Sequence, residues 1–192
     1  MAKFIQQEEV TADLGMPLID GNAERSQYRR GYFACAKDAA FALRLLKGSN
    51  KSPMPVLFLY RHYLEIALKD ALEISKAFDL QQADKKFGHD LVKLWAETKP
   101  ILGNFVLPHL MDVIDVAVED FNKFDRRADA FRYAVNKDGE PQMPKDTYLI
   151  FHALIAHMDR VSDVIEHAIL TIRQEEAELD RRIDEAVAND RS

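Results

Sequence analysis

Cysteine is nearly absent: Cys35 stands alone among 192 residues. No internal disulfide can form, and no cysteine-rich metal site can be built. Glycine and proline are scarce, at seven each, too few for the many turns of a β-sandwich or barrel. Long apolar runs are missing as well. The longest, Val56–Tyr60, has five residues, against the ~18 needed to cross a bilayer, so no membrane partner is expected. Positive charge is in deficit, with 26 Lys and Arg against 32 Asp and Glu and a net charge of −6. The chain therefore has no general attraction for nucleic acid, and any such binding must use a local basic cluster. The first ten residues, MAKFIQQEEV, place Gln and Glu where a signal peptide needs an apolar stretch. A reducing, cytoplasmic setting is the expectation.

What is present is globular: 47% apolar and 30% charged residues, in a length that suits one domain with a sizeable core. Residues 1–23 mix Gly, Pro and polar residues and are expected to form an irregular arm. From Glu24 to Lys47, Tyr28, Tyr32, Cys35, Ala39, Leu43 and Leu46 recur at helical spacing, with Cys35 on the apolar face. A second helix is expected over Pro53–Phe78, apolar almost all round and so central to its domain. After a polar loop, Gly88-His89-Asp90 opens a third helix that Pro100 should stop. A fourth spans Phe105–Phe124. Phe131-Arg132-Tyr133-Ala134-Val135, followed by Asn136-Lys137-Asp138-Gly139, predicts a small hairpin or ordered loop. Asp146 or Thr147 should cap a long last helix reaching Asn189, with a wide apolar stripe to Ile172 and mostly charge beyond. The fold class is all-α: an up-and-down bundle of about five helices over 24–172, with a charged helical extension over 173–192.

The buried second helix carries charge in Tyr60-Arg61-His62-Tyr63-Leu64-Glu65-Ile66-Ala67-Leu68-Lys69. With Arg61 at zero, Glu65, Lys69 and His62 fall at about 40°, 80° and 100° around the helix, on an arc shared with Phe58, Ile66 and Leu72. Arg61 and Glu65 therefore pair in the interior or line a wet cleft. A plain i,i+4 ion pair explains them. So does an anion-binding cleft, with Arg61 as a fork for phosphate and Glu65 as its orienter. His89 and Asp90 are either a surface residue and a helix cap, or the mouth of that cleft. Arg126, Arg127 and Arg132 form the densest basic patch, interleaved with Phe131 and Tyr133. They either anchor a loop and pair with nearby acids, or hold a flexible single strand or a nucleotide.

Other chemistries lack their motifs. No Gly-rich phosphate loop, dinucleotide fingerprint, nucleophile elbow or HExxH is found. His152 and His157 are five apart, which is wrong for a two-His metal face, so neither a metal nor a cofactor is expected.

In their order, YRHYLEIALK (60–69), GHDLVKLW (88–95) and DAFRYAV (129–135) resemble HEPN-like proteins over residues 28–170. That resemblance implies a bundle of four to five helices, a toxin–antitoxin or phage-defence setting, and a homodimer that cuts RNA without metal. Its signature is Arg, four to six residues, then His. Arg61 departs from it, since Glu65, Ile66, Ala67 and Leu68 follow at that distance. Arg160 and His167 match it, about 10.5 Å apart along a helix, with Asp163 between them on the side away from the core. Through the resemblance, Arg160 and His167 become the expected catalytic pair, and Arg61, His62, Glu65, His89, Asp90 and Arg132 the binding residues. RNA or a nucleotide is the expected ligand, and an antitoxin or other protein a possible partner. A non-catalytic helical interaction or adaptor module is the alternative.

Overall fold

The computed structural model describes residues 25–46, 51–75 and 88–190. The expected N-terminal arm, the polar loop over 79–86 and the end of the second helix near Phe78 lie outside the described residues. Five helices follow one another: α1 (Arg25–Leu45), α2 (Met54–Ser75), α3 (Leu91–Leu102), α4 (Pro108–Asp125) and α5 (Phe151–Asp190). None is long and apolar enough to cross a membrane. The architecture is an all-α bundle, and no strand occurs among the described residues.

α2 is the axis. Its near-continuous apolar surface packs against α1, α3 and α5, and Tyr60, Tyr63, Leu64, Ala67 and Leu68 are wholly buried. α5 supplies the facing stripe of Ile155, Met158, Val161, Ile165, Ala168 and Ile172, spaced by threes and fours as a core-facing helix requires. Past Ile172 the same helix runs on to Asp190 with Leu179, Ile183 and Val187 exposed.

Four local expectations change. Pro100 lies inside α3 rather than ending it. It falls in the last turn, so it forfeits one helical hydrogen bond close to the end, and the backbone N–H of Gly103 closes the end on Lys99 O at 3.0 Å. α4 starts at Pro108 in the N1 position that proline favours. α5 starts at Phe151, so neither Asp146 nor Thr147 caps it. Asp146 has φ 60, and the Thr147 hydroxyl donates to Pro144 O at 2.8 Å. Cys35 is exposed, because α1 turns Ala36 and Ala40 inward instead.

The 131–145 segment is an ordered loop. It has one antiparallel bridge, Val135 with Pro141, closed over Gly139 at φ 81. Phe131 anchors it edge-on against Phe121 with centroids 6.2 Å apart, whereas Tyr133 stays 59% exposed.

Candidate functional site

Two arginines are buried in this bundle, and each ties α2 to two other elements. Arg29 of α1 pairs with Asp70 of α2, and donates from Nε and Nη2 to the two carboxylate oxygens of Glu166 of α5 at 2.7 and 2.8 Å. Arg61 does the same on the opposite face. Its Nη1 donates to Glu65 Oε2 at 3.2 Å, its Nη2 to the His89 carbonyl at 2.7 Å and its Nε to the Asp125 carbonyl at 3.2 Å. The Asp125 carboxylate stands 3.4 Å from Nε. The guanidinium therefore fastens α2 to the start of α3 and the end of α4. Arg61, Glu65 and Asp125 are 2%, 2% and 1% exposed, so every nitrogen of the fork is engaged inside the protein, where an anion fork would need it free.

Local backbone brings these acceptors in. Gly88 takes φ 56, a conformation that other side chains adopt only under strain, and a Cβ there would meet nothing within 4 Å. The glycine is therefore needed for its dihedral angle alone. It turns the chain so that the His89 carbonyl points inward and Asp90 reaches the N-cap, accepting from Lys93 N at 3.1 Å. At the other end, Ala128 is held at φ 61, a strain of about 1–2 kcal/mol. The Asp125 side chain secures that turn by accepting from Ala130 N at 2.8 Å.

Glu65 is where the buried clamp meets solvent. Its Oε1 accepts from Lys69 Nζ at 2.7 Å and from His89 Nδ1 at 2.9 Å. Burial raises its carboxyl pKa. The hydrogen bond and charge of Lys69, followed by those of His89, outweigh burial and hold it below the usual 4.5. An ionised carboxylate only accepts, so Nδ1 carries the proton and Nε2 holds the lone pair in the neutral ring. The His89 side chain is 62% exposed, and Nε2 makes no hydrogen bond among the described residues. A buried carboxylate thus orients an imidazole whose other nitrogen faces outward, with an ammonium beside it.

A chain of flat groups extends from the same helix face. His62 stacks on Phe58, centroids 5.6 Å apart and 8° between planes, and meets Tyr32 edge-on at 4.5 Å. Arg132 lies 5.8 Å from the Phe58 ring and 5.5 Å from the Tyr133 ring, steadied by its Nε–H to the Ala128 carbonyl at 2.6 Å. The order Tyr133–Arg132–Phe58–His62–Tyr32 sets one guanidinium in a run of aromatic rings.

Burial is the main cause that lowers the His62 pKa from its ordinary 6.5. Glu65 raises it, while Lys69, His89 and Arg61 lower it further. The unfolded chain therefore takes up this proton at a higher pH than the folded one, and stability falls as pH drops through 6.5 toward the folded pKa. His62→Gln is expected to flatten the stability-against-pH curve just below pH 6.5 in urea titrations. A slope equal to that of the unaltered chain would show that His62 does not carry the dependence.

Of the sequence candidates, Arg61, Glu65 and His89 come together, with Asp90 capping the helix beside them and His62 and Arg132 on the adjoining stack. Arg160, Asp163 and His167 are all exposed on α5, and no hydrogen bond or ion pair joins them to one another among the described residues. Asp125 and the Arg29–Asp70–Glu166 set were not singled out from sequence. Among the described residues no group of three or more His, Cys, Asp or Glu is placed to hold a metal ion. No family model, curated protein or solved structure matches the chain.

Proposed function

We propose that this chain binds RNA or a nucleotide across the face formed by α2 and the start of α3, and acts there as a metal-independent ribonuclease of the HEPN-like kind. One observation carries the reading: His89 is oriented through Nδ1 by the buried Glu65 carboxylate, and presents Nε2 to solvent. Cleavage of RNA by its own 2′-hydroxyl needs a proton acceptor beside the phosphodiester. The 2′-oxygen attacks phosphorus, its proton passes to Nε2, and the bond to the 5′-oxygen breaks, leaving a 2′,3′-cyclic phosphate while the departing 5′-oxygen takes a proton from solvent water. The imidazolium so formed lies against Glu65, and Lys69 offers positive charge to the non-bridging oxygens. The Tyr133–Arg132–Phe58–His62 stack supplies faces for unpaired bases, which is how flexible single strands are held.

The experiment compares His89→Ala with the double variant Arg160→Ala, His167→Ala on a structured RNA in EDTA. The His89 variant is expected to lose at least about 100-fold in rate, the lower end of what a positioned proton-transfer group contributes. The double variant is expected to keep its rate. The reverse result moves the site to the outer face of α5, where Arg160 and His167 are exposed and free to meet a second copy in a homodimer. If the unaltered chain leaves RNA intact, retention of a labelled strand at two salt concentrations isolates a binding role. Absence of both activities leaves the adaptor reading, with an antitoxin or other protein as partner.

A further inference from the structure

A second feature lies apart from the His89 face. A cavity of ≈ 420 Å³ opens where the first turns of α2 and α5 meet α4 and the 131–150 connection. Its depth is apolar, with Met54, Leu57, Phe121, Phe131, Leu154 and Met158 as walls. The volume lies within the ~300–1,000 Å³ of ordinary small-molecule sites.

The polar side chains at this cavity are few: Asp120, Thr147, Tyr148 and His157, with the Tyr148 hydroxyl able to donate or accept. Asp120 contributes an exposed carboxylate. His157 donates from Nε2 to the Val113 carbonyl at 2.8 Å, which leaves Nδ1 as an acceptor in the neutral ring. The Thr147 hydroxyl, the obvious donor, is already committed to Pro144 O. No lysine or arginine lines the cavity among the described residues. An apolar body with one positive, proton-donating end complements such a lining. A carboxylate-tailed molecule would instead set a second negative charge against Asp120.

We propose that this cavity binds a small hydrophobic amine, its apolar body between α4 and α5 and its ammonium group at Asp120. The full-length chain is titrated by calorimetry with n-octylammonium, n-octanol and n-octanoate. n-Octylammonium is expected to bind saturably and about tenfold more tightly than n-octanoate, with n-octanol between them. Asp120→Asn alters an exposed side chain, so its folding is not at risk. It is expected to weaken n-octylammonium roughly threefold, as loss of a partly screened ion pair does, and to leave n-octanol unchanged. Ala153→Trp, from an exposed position on the first turn of α5, fills the cavity and is expected to abolish all three. Three results each overturn the assignment: no saturable binding of any of the three, n-octanoate binding as tightly as n-octylammonium, or Ala153→Trp binding like the unaltered chain.

Discussion

Replacing Arg61 with alanine is expected to lower the unfolding free energy by about 3–5 kcal/mol, the usual cost of breaking a buried, hydrogen-bonded charge set from one side. The guanidinium meets Glu65, the Asp125 carbonyl and the His89 carbonyl at once. Its removal leaves the Asp125 carboxylate buried without its cation, and two carbonyls without donors. Glu65 suffers less, since Lys69 and His89 still reach it. In a chain of this length each kcal/mol moves the melting temperature by roughly 2–4 °C, so a fall of about 10 °C is expected. Arg61→Lys keeps the charge but has no planar fork for three separated acceptors, and should recover only part of the loss. Guanidinium titrations followed by circular dichroism measure both variants. A loss below about 1 kcal/mol for Arg61→Ala would mean that the contacts of Arg61 contribute little to holding α2, α3 and α4 together. The His89 carbonyl is one of its acceptors, so the same variant should also loosen the imidazole from its place above Glu65.

The second large effect concerns the opposite face of α2. Arg29→Met is expected to cost about 3–5 kcal/mol, because Asp70 is then a buried carboxylate with no cation. Glu166 is partly exposed and can turn to water. The double variant Arg29→Met, Asp70→Leu removes both charges of the buried α1–α2 pair. It is expected to regain most of the loss, and to finish within about 1–2 kcal/mol of the unaltered chain or above it. The comparison is a double-mutant cycle, read from denaturant midpoints with the slope held as a check on the two-state assumption. A double variant as unstable as Arg29→Met alone would place the stabilisation in the packing of the arginine's aliphatic stem, in place of its pairing with Asp70.

How far residues alone reveal this architecture depends on sequence distance. α2 announces itself because nearly every side is apolar, and Arg61 with Glu65 because four residues make one helical turn. Gly88-His89-Asp90 is legible as a helix start, since a left-handed glycine and a capping aspartate are local devices. Arg29 with Glu166, 137 positions apart, and Arg61 with Asp125, 64 apart, leave no local trace. Each arginine looks like any other helical arginine until the bundle brings its acceptor near. In the sequence Asp125 is one acid beside Arg126 and Arg127, while its partners in the fold, Arg61 and the Ala130 N–H, lie inward. The end of α3 and the start of α5 were displaced for a related reason. Pro100 sits in the last turn, where the helix ends soon after the one bond it forfeits, and Thr147–Ile150 stay outside the helix although the pattern permits a cap at Thr147. The imidazole of His89 could be placed at the mouth of a cleft only as one alternative, because no spacing rule connects it to Glu65.

The 40-residue α5 has a consequence for how the molecule responds to its surroundings. Up to Ile172 its backbone is held by the apolar stripe it buries. From Arg173 to Asn189 none of its residues is buried, and its order depends on its own hydrogen bonds and on surface contacts such as Arg181 with Glu178 and Glu185. Local helix formation is governed by length, temperature and ionic strength, and much less by the cooperative melting of a core. One continuous rod therefore has two different thermal personalities. Its distal half can fray and re-form turn by turn, sampling many shapes, while the bundle it springs from remains folded.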